Sequence, residues 1–205
     1  MYRYYMDSFV SYKSPYKIKK YNIILDLDNT LICSLDMKHE INKIPQDIRE
    51  KFHSINMDNY YQVFERPYLQ DFLTYLFDNF NVSIFTAADK DYALFVIDNI
   101  ILRNKSRKLD YIMFNFHVQL SEIYFSSIKD LSLLWNIFRL PKYNRDNTII
   151  IDDLPEVYNA NPNNAIQIKK FDILANPEDA VHDVELLKLR SILEWRTYHG
   201  NKIIN

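Results

Sequence analysis

The run Asp26-Leu27-Asp28-Asn29-Thr30 sets two carboxylates two residues apart at the end of an apolar segment that begins at Tyr21. On extended backbone such residues point the same way, with Cα atoms about 6.5–7 Å apart. One carboxylate can then attack a phosphorus atom while the other reaches the leaving oxygen on its far side. More groups able to do chemistry follow later apolar runs or stand beside them. Thr86 follows Val82–Phe85, Lys129 stands ahead of Leu131, and Asp152-Asp153 close the run that starts at Asn147. Carboxylates gathered in one place repel one another and call for a cation, and hard oxygen donors suit Mg2+. Lysine adds a point charge for phosphate oxygens, and threonine adds a hydrogen bond.

Each feature alone has an ordinary reading. Asp-x-Asp-x-Thr can be a helix cap or a turn, Thr86 a helix N-terminal residue, and Lys129 a surface lysine. Asp152-Asp153 before Pro155 can simply end a strand. An EF-hand loop is excluded, because its sixth position is Leu31 rather than glycine and its twelfth is Met37 rather than glutamate. Their order, and their recurrence at the ends of apolar runs, favours one shared site.

The elements that must position these groups alternate. Tyr21–Leu27 reads as a buried strand, and residues 32–59 as a polar insert with a short helix at Gln46–Phe52. Tyr60–Phe64 is expected as a strand. Pro67–Phe80 is expected as a helix, with Leu69, Phe72, Leu73, Leu76 and Phe77 at helical spacing. Strands at Val82–Phe85, Tyr111–Phe116, Asn147–Ile151 and Ala165–Ile168 alternate with helices at Asp89–Arg103, Ser127–Phe138 and Pro177–Tyr198. The pattern predicts an α/β fold: a doubly wound parallel sheet with helices on both faces and a small insert after the first strand. In such a sheet ligands sit outside the carboxyl ends of the strands, where all the groups above are expected.

Composition sets outer limits. The 205 residues are 48% hydrophobic and 25% charged, enough for one domain with a core and too little for two. Gly200 is the single glycine, where average usage of about 7% would supply about fourteen. Neither a P-loop nor a GxGxxG turn can be written, which removes those ATP- and NAD-binding readings. The abundance of Ile, Asn, Lys and Tyr suits AT-rich coding DNA, as in a parasite or a large DNA virus. A lone Cys33 leaves no internal disulfide and suits a reducing interior, so an intracellular place, nucleus or cytoplasm, is expected. No signal peptide is visible, and the greasiest run, Ala93–Leu102, is interrupted by Asp98 and Asn99 and is too short to span a bilayer. Residues 1–20 form a basic, tyrosine-rich arm of charge +4, read as a solvated lead-in rather than a docking arm; with a net charge of −2 overall, strong nucleic-acid binding is not expected.

The motifs also carry a family resemblance. DLDNTLI, RPYLQDFL at Arg66–Leu73, IFTAADKDYA at Ile84–Ala93, SIKDLSLL at Ser127–Leu134 and IIIDDLPEVY at Ile149–Tyr158 occur in this order. They resemble the motifs of the haloacid-dehalogenase superfamily, and within it the FCP/SCP branch, the NLI-interacting-factor-like phosphatases of the RNA polymerase II C-terminal domain. The likeness runs over residues 21–175 and implies a DxDxT-type, Mg2+-dependent protein-serine/threonine phosphatase. It implies Asp26 as the nucleophile that becomes an aspartyl-phosphate, Asp28 as the acid and base, and Thr30 as a brace of the loop. Thr86 and Lys129 would hold the phosphoryl oxygens. The metal would lie on Asp26, the Asp28 carbonyl, and Asp152 and Asp153.

Departures bear on substrate. The segment FNFHVQLSEIYF lacks the arginine that in the small members helps read a phosphopeptide, and the insert at residues 32–59 does not resemble the family's hydrophobic, strand-rich one. Substrate choice is therefore expected to lie in those two segments. Arg66 is expected as a structural anchor, His117 as packing or solvent-facing, and Trp135 and Trp195 as core or partial core. Two other functions stay open: a nucleotide or polynucleotide 3′-phosphatase on the same fold, and a non-catalytic phosphoprotein-binding scaffold.

Overall fold

The computed structural model describes residues 19–198, so most of the expected N-terminal arm lies outside the described residues. Five parallel strands form the main sheet: β1 (Asn22–Leu25), β5 (Asn81–Phe85), β6 (Ile112–Met113), β7 (Thr148–Asp152) and β8 (Ala165–Gln167), in the order β6-β5-β1-β7-β8. The chain moves outward from β1 through β5 to β6, then crosses back to β7 and β8 on the other side. The order thus reverses between β1 and β7, and the groove for a ligand opens at that reversal, outside the strand ends. Leu25 is paired in register with Ile84 on one side and Ile151 on the other, so the three strand ends are level.

Alternation decides which face each strand residue serves. Ile23, Leu25, Val82, Ile84, Ile149 and Ile151 pack under one layer of helices. That layer is α2 (Leu69–Asn79), α3 (Lys90–Val96) and α7 (Glu185–Tyr198). Ile24 and Ile150 face the opposite way, with Val118 and Leu120 of α4 (Asn115–Phe125) and Val157 of α5 (Pro155–Ala160). The expected doubly wound sheet, with helices on both faces, is the observed one.

The insert differs from its expectation. It carries β2 (Ile32–Asp36), a helical turn α1 (Gln46–Arg49) and β3 (Ser54–Met57), and both strands pair antiparallel with β4 (Tyr61–Glu65) in the order β2-β4-β3. The result is a three-stranded sheet with its own core of Cys33, Leu35, Phe64, Ile41, Ile44 and Ile48. Its strandedness is hard to read because β3 is short and half-exposed, with only Ile55 and Met57 alternating against Ser54 and Asn56. The β3–β4 turn, Asp58-Asn59, takes φ values of 47° and 59° without glycine, using the two residue types that best tolerate them.

Three further boundaries move. The strand expected over Tyr111–Phe116 shrinks to an edge pair, because Phe114 N–H donates to His117 Nδ1 (3.1 Å) and starts α4 at once. The helix expected over Ser127–Phe138 becomes a loop followed by one wide turn, Leu133–Ile137, in which Phe138 N–H reaches the Leu133 carbonyl at 2.9 Å. The last helix breaks between α6 (Pro177–Val181) and α7, where Asp183 caps the Glu185 N–H at 3.0 Å. Trp195 is exposed, since Leu186, Leu189 and Leu193 supply the buried stripe of α7, and Trp135 is half-buried.

Candidate active site

β1 delivers Asp26 to the sheet edge, where its N–H still donates to the Ile151 carbonyl at 3.0 Å. The chain then turns sharply. The Leu27 carbonyl accepts from the N–H groups of Leu31 (2.8 Å) and Ile32 (3.1 Å), and Asn29 takes φ 60°. Asparagine stands where glycine would be the easier residue, at a turn that this glycine-poor chain must still make. The loop is clamped from outside by Arg66, whose Nη1 donates to the Thr30 carbonyl at 2.8 Å. Arg66 also donates to the Asp183 carboxylate and the Lys169 carbonyl, which makes it the structural anchor expected of it.

Lys129 reaches the same point from the other side of the sheet. Its Nζ donates to Asp26 Oδ1 at 2.6 Å and to Asp152 Oδ2 at 2.7 Å, with all three side chains buried. Its backbone sits at φ 48°, a region that costs a non-glycine residue energy and persists where surroundings enforce it. Asn161 enforces it here. The Asn161 amide donates to the Lys129 carbonyl (3.0 Å) and accepts from Leu131 N–H (2.9 Å). This is why the expected helix cannot begin at Ser127: the lysine needs a left-handed turn to aim at Asp26.

Asp26, Asp152 and Asp153 each offer an oxygen within 4.8 Å of the others. Asp153 accepts from Thr30 Oγ1 at 3.2 Å, and the Asp152 carboxylate also accepts from Leu154 N–H at 3.0 Å. Burial raises Asp152 above the usual carboxylate range, with the Asp26 charge adding and Lys129 opposing. Burial and the Asp26 charge raise Asp153 as well. For Lys129 burial pulls down, but Asp26 and Asp152 more than offset it, so the ammonium is held charged. One cation among these carboxylates leaves excess negative charge, and the donors are all hard oxygens. The set fits a small divalent ion such as Mg2+.

Asp28 stands half-buried one turn further on and takes its hydrogen bond elsewhere: Tyr92 Oη donates to Asp28 Oδ1 at 2.5 Å. Burial lifts the Asp28 carboxyl to about 6, against the pull of Tyr92 and with the push of Asp26. Burial, then the Asp28 charge, drives the Tyr92 hydroxyl well above its ordinary value and keeps it a donor. Thr86 directly follows β5, which pairs with β1, and its hydroxyl accepts from Ala88 N–H at 3.1 Å and shapes the loop. Among the described residues it makes no hydrogen bond to the carboxylates. The fold therefore brings together two hydrogen-bonded sets, Lys129 with Asp26 and Asp152, and Thr30 with Asp153, whose three carboxylates converge, with Asp28 and Thr86 on the adjoining loops. Asn161 and Tyr92 carry no local signal in the sequence that would mark them as supports, although Tyr92 lies within the IFTAADKDYA run. His117 is fully buried among Phe114, Phe116 and Phe138, away from this group.

Comparison with known proteins decides the family. The family model described as NLI interacting factor-like phosphatase matches residues 21–203. The chain belongs to this family. Among its relatives are the CTD phosphatase-like proteins 355R of Invertebrate iridescent virus 6 and Invertebrate iridescent virus 3. Each is 41% identical to this chain, over 84% and 86% of it respectively and 96% of the relative. Nuclear envelope morphology protein 1 of Saccharomyces cerevisiae is 30% identical over 91% of this chain and 44% of its own length. The structure of Fcp1, an essential RNA polymerase II CTD phosphatase, superposes with a TM-score of 0.59 at 20% identity, covering 85% of this chain and 61% of that one. Membership of the NLI interacting factor-like phosphatases makes this chain a phosphatase by family and agrees with the FCP/SCP resemblance carried by its motifs. No helix among the described residues is long and apolar enough to cross a membrane.

Proposed function

We propose that this protein is a Mg2+-dependent phosphatase for phosphoserine or phosphothreonine in proteins, working through an aspartyl-phosphate on Asp26. The observation that carries the reading is the Lys129 ammonium shared between Asp26 and Asp152, with Asp28 two residues beyond the nucleophile on the same turn. Mg2+, held by Asp26, the Asp28 carbonyl, Asp152 and Asp153, would supply charge neutralisation for an incoming phosphate. Asp26 attacks phosphorus, and the bond to the leaving oxygen breaks as Asp28 gives that oxygen a proton. Asp28 then takes a proton from the water that attacks the phospho-Asp26, releasing phosphate and restoring both carboxyls. Lys129, already oriented, holds phosphoryl charge without reorganisation, and Thr86 keeps the rim loop in shape around it. An Asp28 carboxyl near 6 can both give and take a proton close to neutrality.

The protein relatives named for the C-terminal domain favour a phosphoprotein substrate, and the test is a panel. The protein is assayed with aryl phosphate, phosphopeptides bearing C-terminal-domain repeats, unrelated phosphopeptides, nucleotides and 3′-phosphorylated oligonucleotides, with Mg2+ and with chelator. Hydrolysis that needs Mg2+, favours phosphopeptides and falls more than ~10³-fold in Asp26→Asn is expected. Preference for the oligonucleotide would move the substrate to nucleic acid. Full activity in chelator would remove the metal from the reading.

A further inference from the structure

Tyr92 makes two hydroxyl contacts, and each hydroxyl has one proton to give. Its own goes to Asp28 Oδ1 at 2.5 Å. The short contact between Ser34 Oγ and Tyr92 Oη must therefore be donated by Ser34. The chain of bonds runs Ser34 to Tyr92 to Asp28, from the small antiparallel sheet into the main site. Both ends are built to hold it. Asp89 accepts from Tyr92 N–H at 2.9 Å and caps α3, while Tyr61 of β4 meets the Tyr92 ring edge-on at 5.8 Å. Ser34 itself is fixed by pairing with Val63 in the β2–β4 ladder.

We propose that Tyr92 is a positioning residue for leaving-group protonation, fixing which oxygen of Asp28 carries the proton. An oxygen that already accepts from Tyr92 is the poor place for it, so the acidic hydrogen sits on Oδ2. Among the described residues no hydrogen bond engages Oδ2, which leaves it for substrate. The inference rests on the phosphatase reading above. In the step concerned, Asp26 forms the bond to phosphorus, the bond from phosphorus to the ester oxygen breaks, and the hydrogen on Asp28 Oδ2 passes to that oxygen to give the free alcohol. Without Tyr92 the carboxyl can turn or place its proton on either oxygen, and the acid is misdirected while the nucleophile is untouched. It follows that the small sheet does more than cover the site: through Ser34 it helps aim the acid.

A leaving group that departs easily needs no acid, whereas a basic one does, and this separates positioning from general damage. kcat/KM, which reports the phosphorylation of Asp26, is measured for p-nitrophenyl phosphate, phenyl phosphate and an alkyl phosphate in wild type, Tyr92→Phe and Ser34→Ala. Tyr92→Phe is expected to lose about 10-fold or more on the phenyl and alkyl esters and less than about 3-fold on the nitrophenyl ester, a fraction of what a whole general acid contributes. Ser34→Ala, which keeps Tyr92 but loosens it, is expected to show the same trend at smaller size. Equal losses on all three esters in both variants, or none, would overturn the inference while leaving the phosphatase reading in place. A wild-type protein that hydrolyses none of the esters would overturn both.

Discussion

Arg66 and Asp183 meet 117 positions apart in a two-bond ion pair, Nε to Oδ1 at 2.9 Å and Nη2 to Oδ2 at 2.8 Å. The same guanidinium donates to the carbonyls of Thr30 and Lys169, so one buried side chain ties the catalytic turn to the segment after β8 and to the helix break before α7. Removing one partner of such a pair leaves a buried charge unpaired and costs about 3–5 kcal/mol. Arg66→Ala and Asp183→Asn should each lower the unfolding free energy measured in urea by an amount of that order. Arg66→Lys should be nearly as damaging, because an ammonium cannot reproduce the planar fork. A lysine variant as stable as wild type would show that the charge alone suffices.

Lys129 holds together two carboxylates that otherwise repel. Lys129→Ala is expected to lose at least ~10²-fold in turnover, as when a preorganised charge is withdrawn from a transition state. It should also melt at lower temperature in chelator at pH 8, and recover part of the loss at pH 5.5, where Asp152 can take a proton instead. Inorganic phosphate, which should raise the melting temperature of wild type, should not raise that of the variant. Normal turnover in Lys129→Ala would refute the placing of phosphate there.

Metal and protons should compete for the carboxylate group. Folding raises Asp28 to about 6 and raises Asp152 and Asp153, all from an unfolded value near 3.8. Between the two values the metal-free folded state binds more protons than the unfolded one, so these groups lose stability as pH rises toward 6 and beyond. A divalent ion needs the unprotonated forms and repays most where protons have left. The rise in melting temperature on adding Mg2+ should therefore be larger at pH 8 than at pH 5.5. The reverse order, read by calorimetry at the two pH values, would contradict an acidic site.

His117 titrates with the opposite sign. Burial lowers it to about 4, against an ordinary value of 6.5. The unfolded chain then binds the extra proton first. The contribution of His117 is complete above about pH 6.5 and is lost as pH falls to about 4, roughly 3 kcal/mol across that window. His117→Asn, which can still accept from the Phe114 N–H, should be less stable than wild type at pH 7.5 and closer to it at pH 4.5. Parallel denaturation curves for the two proteins at both pH values would sink this assignment.

The carboxylates, Thr30, Thr86 and Lys129 are legible in the sequence through their order and their recurrence at or beside the ends of apolar runs. An apolar run ending in acids marks a buried strand and its carboxyl end in the same few letters, and parallel strands bring such ends together wherever they lie in the chain. The insert was not legible in this way. Ser54–Met57 alternates for only four residues, too short a pattern to stand out, and it is a strand because β4 lends it a ladder. Nor could periodicity show that Ser127–Asp130 departs from helix, because the left-handed turn at Lys129 is held by Asn161, a residue from a later helix end. The chemical groups, and the sheet edge where they gather, follow from the order of residues along the chain. The groups that support them follow from the packing, since Tyr92, Ser34, Asn161 and the Arg66–Asp183 pair act through contacts between distant segments, and a hydrogen bond across 64 or 117 positions leaves no period to read.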